Sequence, residues 1–312
     1  MLTFLLVLTN AIGGSTYPAA TVVLRGFAEK DAVFLRLALA SLMFAPFVWR
    51  GRRRLAALGA RDGARLAAVG LLGYALPLAL GLYGQHLSSA TSASLLIGLE
   101  PVSIVALSCL FLGESLTGLK AASLAAGLVG ATLIAFQGPP RLGGAFSGRL
   151  AGDLLLAAQG VFWSLYSVIG KPVLDRVDPM DSTAITTWIA FAGVAVWSAT
   201  GLSPTTWRAA GAGPWLGLFY LAAVGSFLGA WIWNVVLRRV EASRSANFIF
   251  LQPLVGVALG AGLLGDRLSG WTLAGGALVV AGMWAAARGA AGASAGVGGE
   301  LAPEREAPEK AA

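Results

Sequence analysis

Residues 90–118 read ATSASLLIGLEPVSIVALSCLFLGESLTG, and residues 242–270 read ASRSANFIFLQPLVGVALGAGLLGDRLSG. Laying Pro253 on Pro101, an offset of 152 residues, aligns the two stretches without a gap. Ala90 then meets Ala242, Ile97 meets Ile249 and Leu99 meets Leu251. Val105-Ala106-Leu107 falls on Val257-Ala258-Leu259, and the register carries on through Gly118 on Gly270 to Gly130 on Gly282. An apolar bias would pair some Ala and Leu by chance. It would not also place a proline within an apolar run and a Gly-acid-X-Leu-X-Gly loop in one register. The acids Glu114 and Asp266 coincide in that loop. The chain therefore contains an internal repeat, and a repeat dictates architecture.

Working outward, the same apolar character fills the chain. Of 312 residues, 57% are hydrophobic and 12% charged, and the mean hydropathy is +0.76. Soluble domains carry about 25% charged residues, so this composition indicates an integral membrane protein. A crossing helix takes about 20 apolar residues, and ten such spans fit: Leu2–Leu24, Ala32–Trp49, Leu66–Gln85, Ala90–Leu112, Leu119–Phe136, Asp153–Pro172, Ser182–Thr200, Pro214–Leu237, Ser245–Leu264 and Gly270–Ala287. Runs of this length are helices, because barrel strands need only about 10 alternating residues. A sizeable extramembrane domain has no room, which excludes a DNA-binding module. With Cys109 the only cysteine, an intrachain disulfide is excluded as well.

Lys and Arg orient the spans. With the N-terminus in the cytoplasm, 15 of the 22 basic residues fall on the cytoplasmic side and 6 on the far side, with Arg36 inside a span. Both termini are expected in the cytoplasm, in a bacterial inner membrane. Each repeat holds five spans, an odd number, so the second copy enters the membrane from the opposite side. The expected fold is all-α, with ten transmembrane helices in two inverted five-helix repeats. Residues 1–137 form the first repeat, 138–152 a linker, 153–288 the second repeat and 289–312 a disordered cytoplasmic tail rich in Ala, Gly, Pro and Glu.

Leu99-Glu100-Pro101 followed by Phe111-Leu112-Gly113-Glu114-Ser115-Leu116, with the second copy Leu251-Gln252-Pro253 and Leu263-Leu264-Gly265-Asp266-Arg267-Leu268, resembles the EamA repeat of the drug/metabolite transporter superfamily. The resemblance covers about Leu2 to Ala287. It implies a secondary transporter or exporter of small metabolites, with amino acids or related compounds as the first expectation and drugs or other cationic, amphiphilic compounds as the alternative. It also implies a central cavity lined by spans 1, 3, 4, 6, 8 and 9.

Glu100 is the leading site candidate, because a charge inside a span is costly and tends to be functional. Pro101 lacks an N–H and is expected to free the carbonyl of Ile97, and Pro253 that of Ile249. A carboxylate beside a free carbonyl would bind an ammonium group, and a titratable carboxyl in the membrane suits a proton carrier. Gln252 occupies the equivalent place in the second repeat and is neutral. Arg36 either snorkels to the interface or serves as a charge partner of Glu100 or of a substrate carboxylate. Asn10, Tyr17, Gln85, Gln159, Trp163, Tyr166, Trp231, Asn234 and Asn247 lie on the spans that the resemblance makes cavity-lining. Together they supply the aromatic walls and sparse polar groups of a small-molecule pocket, while singly each fits a buried interhelical hydrogen bond. Gly225–Gly229 and Gly256–Gly260 are GxxxG pairs and read as packing devices.

No phosphate-cradling GxxxxGK[ST] occurs, so an ATP-driven pump is excluded. An intramembrane hydrolase would have to use a serine such as Ser15 with the single histidine, His86, and no GxSxG surrounds it; the chain is not read as an enzyme. No cofactor, metal or nucleic-acid partner is expected. The expected partners are a small-molecule substrate, membrane lipid and, as the candidate coupling ion, protons.

Overall fold

A computed structural model of the chain describes residues 2–111, 117–136, 148–239, 248–249, 251–265 and 268–298. Every regular element among them is helical: α1 (Leu2–Leu24), α2 (Glu29–Ala56), α3 (Ala60–Leu87), α4 (Ala90–Leu96), α5 (Leu99–Phe111), α6 (Gly118–Phe136), α7 (Gly148–Leu174), α8 (Pro179–Ser198), α9 (Pro204–Ala209), α10 (Ala212–Arg239), α11 (Leu251–Leu264) and α12 (Gly270–Gly298). Four of these, α2, α3, α7 and α10, are each long and apolar enough to cross a membrane, and α11 is a shorter apolar helix. The outward faces are apolar too: Leu42, Val196, Leu254 and Leu263 are each more than 60% exposed. Apolar surface on this scale belongs against lipid rather than water.

The helices begin where the sequence supplies start signals. Asp178 caps α8 by accepting from the Met180 N–H at 2.9 Å, with Pro179 in the first turn, where its missing N–H costs nothing. Ser89 caps α4 by accepting from the Ser92 N–H at 3.1 Å.

The run expected as one span, Ala90–Leu112, is two helices separated by a turn at Ile97 and Gly98. The Ile97 carbonyl is therefore not free: it accepts from the Glu100 N–H at 2.8 Å. The second repeat does the same. Phe248 and Ile249 form a turn, and the Ile249 carbonyl accepts from the Gln252 N–H at 2.9 Å. In both copies the proline lies in the first turn after the break, where no intrahelical donor is needed. The chain closes the freed carbonyl locally with an i to i+3 bond instead of leaving it to a ligand.

Two further ends differ from expectation. Helix α7 begins at Gly148, inside the segment read as linker, and α12 runs on to Gly298, into the segment read as tail. The alanine content there favours helix. The acids Glu114 and Asp266, with Arg267 and Asn247, lie outside the described residues, as do 299–312.

Helices α3 and α10 each contain a wider π-helical stretch, Val69–Ala75 and Leu221–Gly229. Their starts, Val69 and Leu221, are again 152 residues apart. Packing follows the same exchange. Helix α1 packs on α11 as α7 packs on α4 and α5, and α3 packs on α7 as α10 packs on α1. Helices α2 and α8 pack on each other, as do α6 and α12.

Buried acids near the starts of α2 and α8 tie this frame together. Asp31, 1% exposed, accepts from the Ser203 N–H at 3.1 Å. Asp181, 4% exposed, holds Arg54 by two bonds of 2.8 and 3.1 Å. These struts clasp opposite ends of α2. Arg54 is 71% exposed, so water screens this pair. Asp181→Ala should lower stability by about 1–2 kcal/mol, less than a fully buried charged bond, as measured by thermal unfolding in detergent. An unchanged midpoint would show that Arg54 finds equal partners in water.

Candidate functional site

The helices leave a central cavity of about 1010 Å³, counting the open solvent at its mouth. Its walls come from α1, α3, α5, α7, α10 and α11, with the turn residue Ile97 and one side chain from α2, Arg36. Of the residues expected at the site, Asn10, Tyr17, Gln85, Glu100, Gln159, Trp163, Tyr166 and Gln252 line it.

The polar wall residues are held by specific bonds. Gln252 Nε2 donates to Asn10 Oδ1 at 3.0 Å, joining α11 to α1, and Asn10 Nδ2 donates to the Leu6 carbonyl at 2.8 Å. Gln85 Nε2 donates to Thr21 Oγ1 at 2.7 Å and to the Tyr17 carbonyl. Thr9 Oγ1 donates to the Gly229 carbonyl at 3.0 Å. One wall is an aromatic triangle: the rings of Tyr74, Trp163 and Tyr166 lie 5.7–6.0 Å apart, pairwise. Tilted and edge-on rings at this spacing attract one another and present apolar faces.

Arg36 does not snorkel. It is 8% exposed and faces the cavity, with its Nε donating to Ser226 Oγ at 2.8 Å. It also does not pair with Glu100: among the described residues neither forms an ion pair with an opposite charge.

Trp231 and Asn234 do not line the cavity. Gly225, Gly229 and Trp233 do, and they recur every four residues along α10, one face of a helix. Trp231 is two residues from Gly229 and so lies about 200° round, packed against Leu6, Ile232 and Val236. Asn234 is one layer behind the wall, donating to Tyr166 Oη at 2.8 Å and to Thr183 Oγ1 at 2.7 Å. It braces a wall residue instead of forming the wall. Pro101 and Pro253 are buried outside the lining.

Tyr74, Trp233, Thr9, Thr16 and Ser167 line the cavity without having been singled out from the sequence. The signal for Tyr74 was helical spacing. Tyr74, Leu78, Gly81, Leu82 and Gln85 form a 4-3-1-3 stripe, so stepping back from Gln85 by whole turns reaches Tyr74. For Trp233 it was the GxxxG pair at Gly225 and Gly229, which marks the cavity face of α10 as well as a packing face.

The serine and the histidine weighed for hydrolysis are engaged elsewhere. Ser15 Oγ is bonded to Tyr220 Oη at 2.6 Å, and the half-exposed His86 meets Glu29 at 3.1 Å.

Comparison with known proteins agrees with this architecture. The model of the EamA-like transporter family matches residues 1–136 and 150–288. A probable terminal-alkyne amino-acid exporter of Streptantibioticus cattleyicolor is 30% identical, covering 89% of this chain and 90% of that one. An uncharacterized transporter of Archaeoglobus fulgidus is 25% identical over 91% of this chain and 97% of its own. A probable amino-acid metabolite efflux pump of Escherichia coli is 26% identical over 62% of this chain and 65% of its own. A solved crystal structure shares the fold at a TM-score of 0.58 and 20% identity, covering 90% of this chain and 96% of that one.

Proposed function

Since the chain belongs to the EamA-like transporter family, we propose that it is a secondary exporter of small metabolites, amino acids or close relatives, working by alternating access between two inverted five-helix repeats. Ten spans with both termini in the cytoplasm of a bacterial inner membrane follow from that reading. Its supports are the paired π stretches at Val69 and Leu221, the matching turns before Glu100 and Gln252, and the packing that survives exchange of the two halves. A site between two such halves is the arrangement through which rocking exposes a ligand to either side in turn.

The observation that carries the function is the cavity itself. Both halves wall it, three aromatic rings line one side, and its polar groups are few and fixed. That combination suits a small amphiphile with one polar end. Similarity to proteins named as amino-acid exporters supports the substrate class. Export of cationic drugs is the second reading, and the buried guanidinium of Arg36 in the same cavity opposes it, because a cation would face a like charge. Protons are the candidate coupling ion, with Glu100 as their carrier.

The test is flux from proteoliposomes holding the purified chain. Amino acids, nucleosides, polyamines and cationic dyes are loaded inside, with and without an imposed proton gradient. Saturable efflux of amino acids with counter-exchange is expected. Efflux confined to polyamines and dyes would favour the second reading, and no efflux of any probe would remove the exporter reading altogether.

A further inference from the structure

Two buried ionisable side chains of opposite character, a guanidinium and a carboxyl, face one cavity without meeting. Arg36 is 8% exposed and Glu100 7%, both line the cavity, and no ion pair joins either to a described residue. Tyr17 lines the same cavity, so all three side chains share one wall system. Buried charges without partners are costly and persist only where something repays them.

From this geometry we infer that the cavity seats a zwitterion, its carboxylate on the Arg36 guanidinium and its ammonium on the Glu100 carboxylate. The inference rests on the exporter reading and deepens it by assigning the two ends of the substrate.

The guanidinium is set for the task. Its Nε is used on Ser226 Oγ, which fixes the plane and leaves the terminal N–H groups for a planar, two-oxygen acceptor. Ser226 is itself held, since its carbonyl accepts from Tyr74 Oη at 3.3 Å. Gly225 makes the room: a Cβ there would come within 3.2 Å of Arg36 Nη2. Glu100 stands in the first turn of α5, where the helix dipole favours an anion. The aromatic triangle of Tyr74, Trp163 and Tyr166 takes what lies between or beside the charged ends.

The repeat supplies an independent argument. Asp31 and Asp181 are each the third residue of their helix, α2 and α8, and that register places Thr186 opposite Arg36. Gln252 stands opposite Glu100. Both charges therefore occur in one copy only, each against a neutral counterpart. A structural role required by the five-helix unit would be needed in both copies. A role in holding an asymmetric ligand would not.

A ligand with one charge satisfies one wall and leaves the other bare. A zwitterion satisfies both, and an amino acid carries the two charges on a single carbon. Leucine, leucinamide and N-acetylleucine share a side chain and differ in charge, so they separate the two seats. Counter-exchange in proteoliposomes should rank leucine above both derivatives for the wild type. Arg36→Gln should cut leucine flux tenfold or more, while leucinamide, which has no carboxylate, is kept or improved. Glu100→Gln should cut leucine similarly and spare N-acetylleucine. Arg36→Lys keeps the charge but not the planar fork, so it should restore part of the leucine flux. It also guards against misfolding, together with a size-exclusion profile for each variant.

An equal fall of all three probes in well-folded variants overturns the clamp and leaves amino-acid export standing. Unchanged leucine flux in either neutralised variant overturns it too. Wild-type flux of leucinamide but not leucine overturns both the clamp and the amino-acid reading, in favour of cations.

Discussion

Gly130→Leu is expected to lower the stability of the folded chain by about 3 kcal/mol, the upper part of the range for overpacked cores. Helices α6 and α12 cross where two backbones nearly touch. A Cβ at Gly130 would lie 2.6 Å from the Gly275 carbonyl oxygen and 2.8 Å from the Val279 nitrogen, and a Cβ at Gly275 would lie 2.6 Å from the Gly130 carbonyl oxygen. Neither obstacle is a side chain that can rotate away, so the helices must part. Parting them forfeits dispersion contacts along the whole crossing, and helices in lipid associate through such packing with little help from hydrophobicity. One effect opposes this: replacing glycine inside a helix gains up to about 1 kcal/mol of propensity. The clash outweighs that gain, and the net loss should move the unfolding midpoint down by roughly 5–10 °C. Gly118→Leu is the control. It lies on the same helix, where a Cβ meets none of the described residues within 4 Å, and its midpoint should stay near that of the wild type. Equal midpoints for the two variants would mean that α6 and α12 do not cross as closely as described.

The glycine crossing also shows what hydropathy and register can and cannot reveal. The offset that aligned Pro101 with Pro253 placed Gly130 on Gly282, and the structure brings the helices bearing them together. The first helix was legible to its last residue, Leu24, because the apolar run stops at Arg25. The break at Ile97 and Gly98 was not. Both residues suit an apolar run, and hydropathy does not register a turn whose carbonyls find partners three residues on. Glu100 stood out because a charge among apolar residues is a property of sequence alone. Arg36 was harder. Four residues into a span, a long side chain has two places to go, and only Ser226, 190 residues away, decides for the cavity. Trp231 and Trp233 have the same composition signal. Which one faces inward depends on the phase of α10, and the π stretch at Leu221–Gly229 changes that phase by inserting extra residues per turn. The GxxxG pair at Gly225 and Gly229 points to Trp233 by its spacing of four, but the same pair reads equally well as a packing face, so the wall of α10 was hard to read.

Gly81→Leu should leave the fold standing and remove transport. The site resembles Gly130 in one respect, since an added Cβ comes within 2.6 Å of its nearest neighbour. That neighbour is Gln159 Nε2, with the rest of the Gln159 amide next at 2.8 and 2.9 Å. This is the far end of a side chain that borders open space. Among the described residues Gln159 Oε1 has no hydrogen-bond partner, so swinging the amide aside breaks little at that oxygen. The cost of folding should stay below about 1 kcal/mol, well short of an overpacked core. The leucine must then go where the amide yields, into the space between Gln159 and the rings of Trp163 and Tyr166. A ligand that fits this cavity loses the volume and the apolar wall together. Efflux of a wild-type substrate should drop by about 100-fold, equivalent to about 2.7 kcal/mol of lost binding. The unfolding midpoint, measured on the same preparation, should shift by no more than a few degrees. Two leucines replacing two glycines should thus have opposite effects, one on stability and one on flux. Backbone as the obstacle at Gly130, and a mobile amide at Gly81, is the whole physical difference between them. Undiminished efflux from the Gly81 variant would place the substrate path outside this cavity.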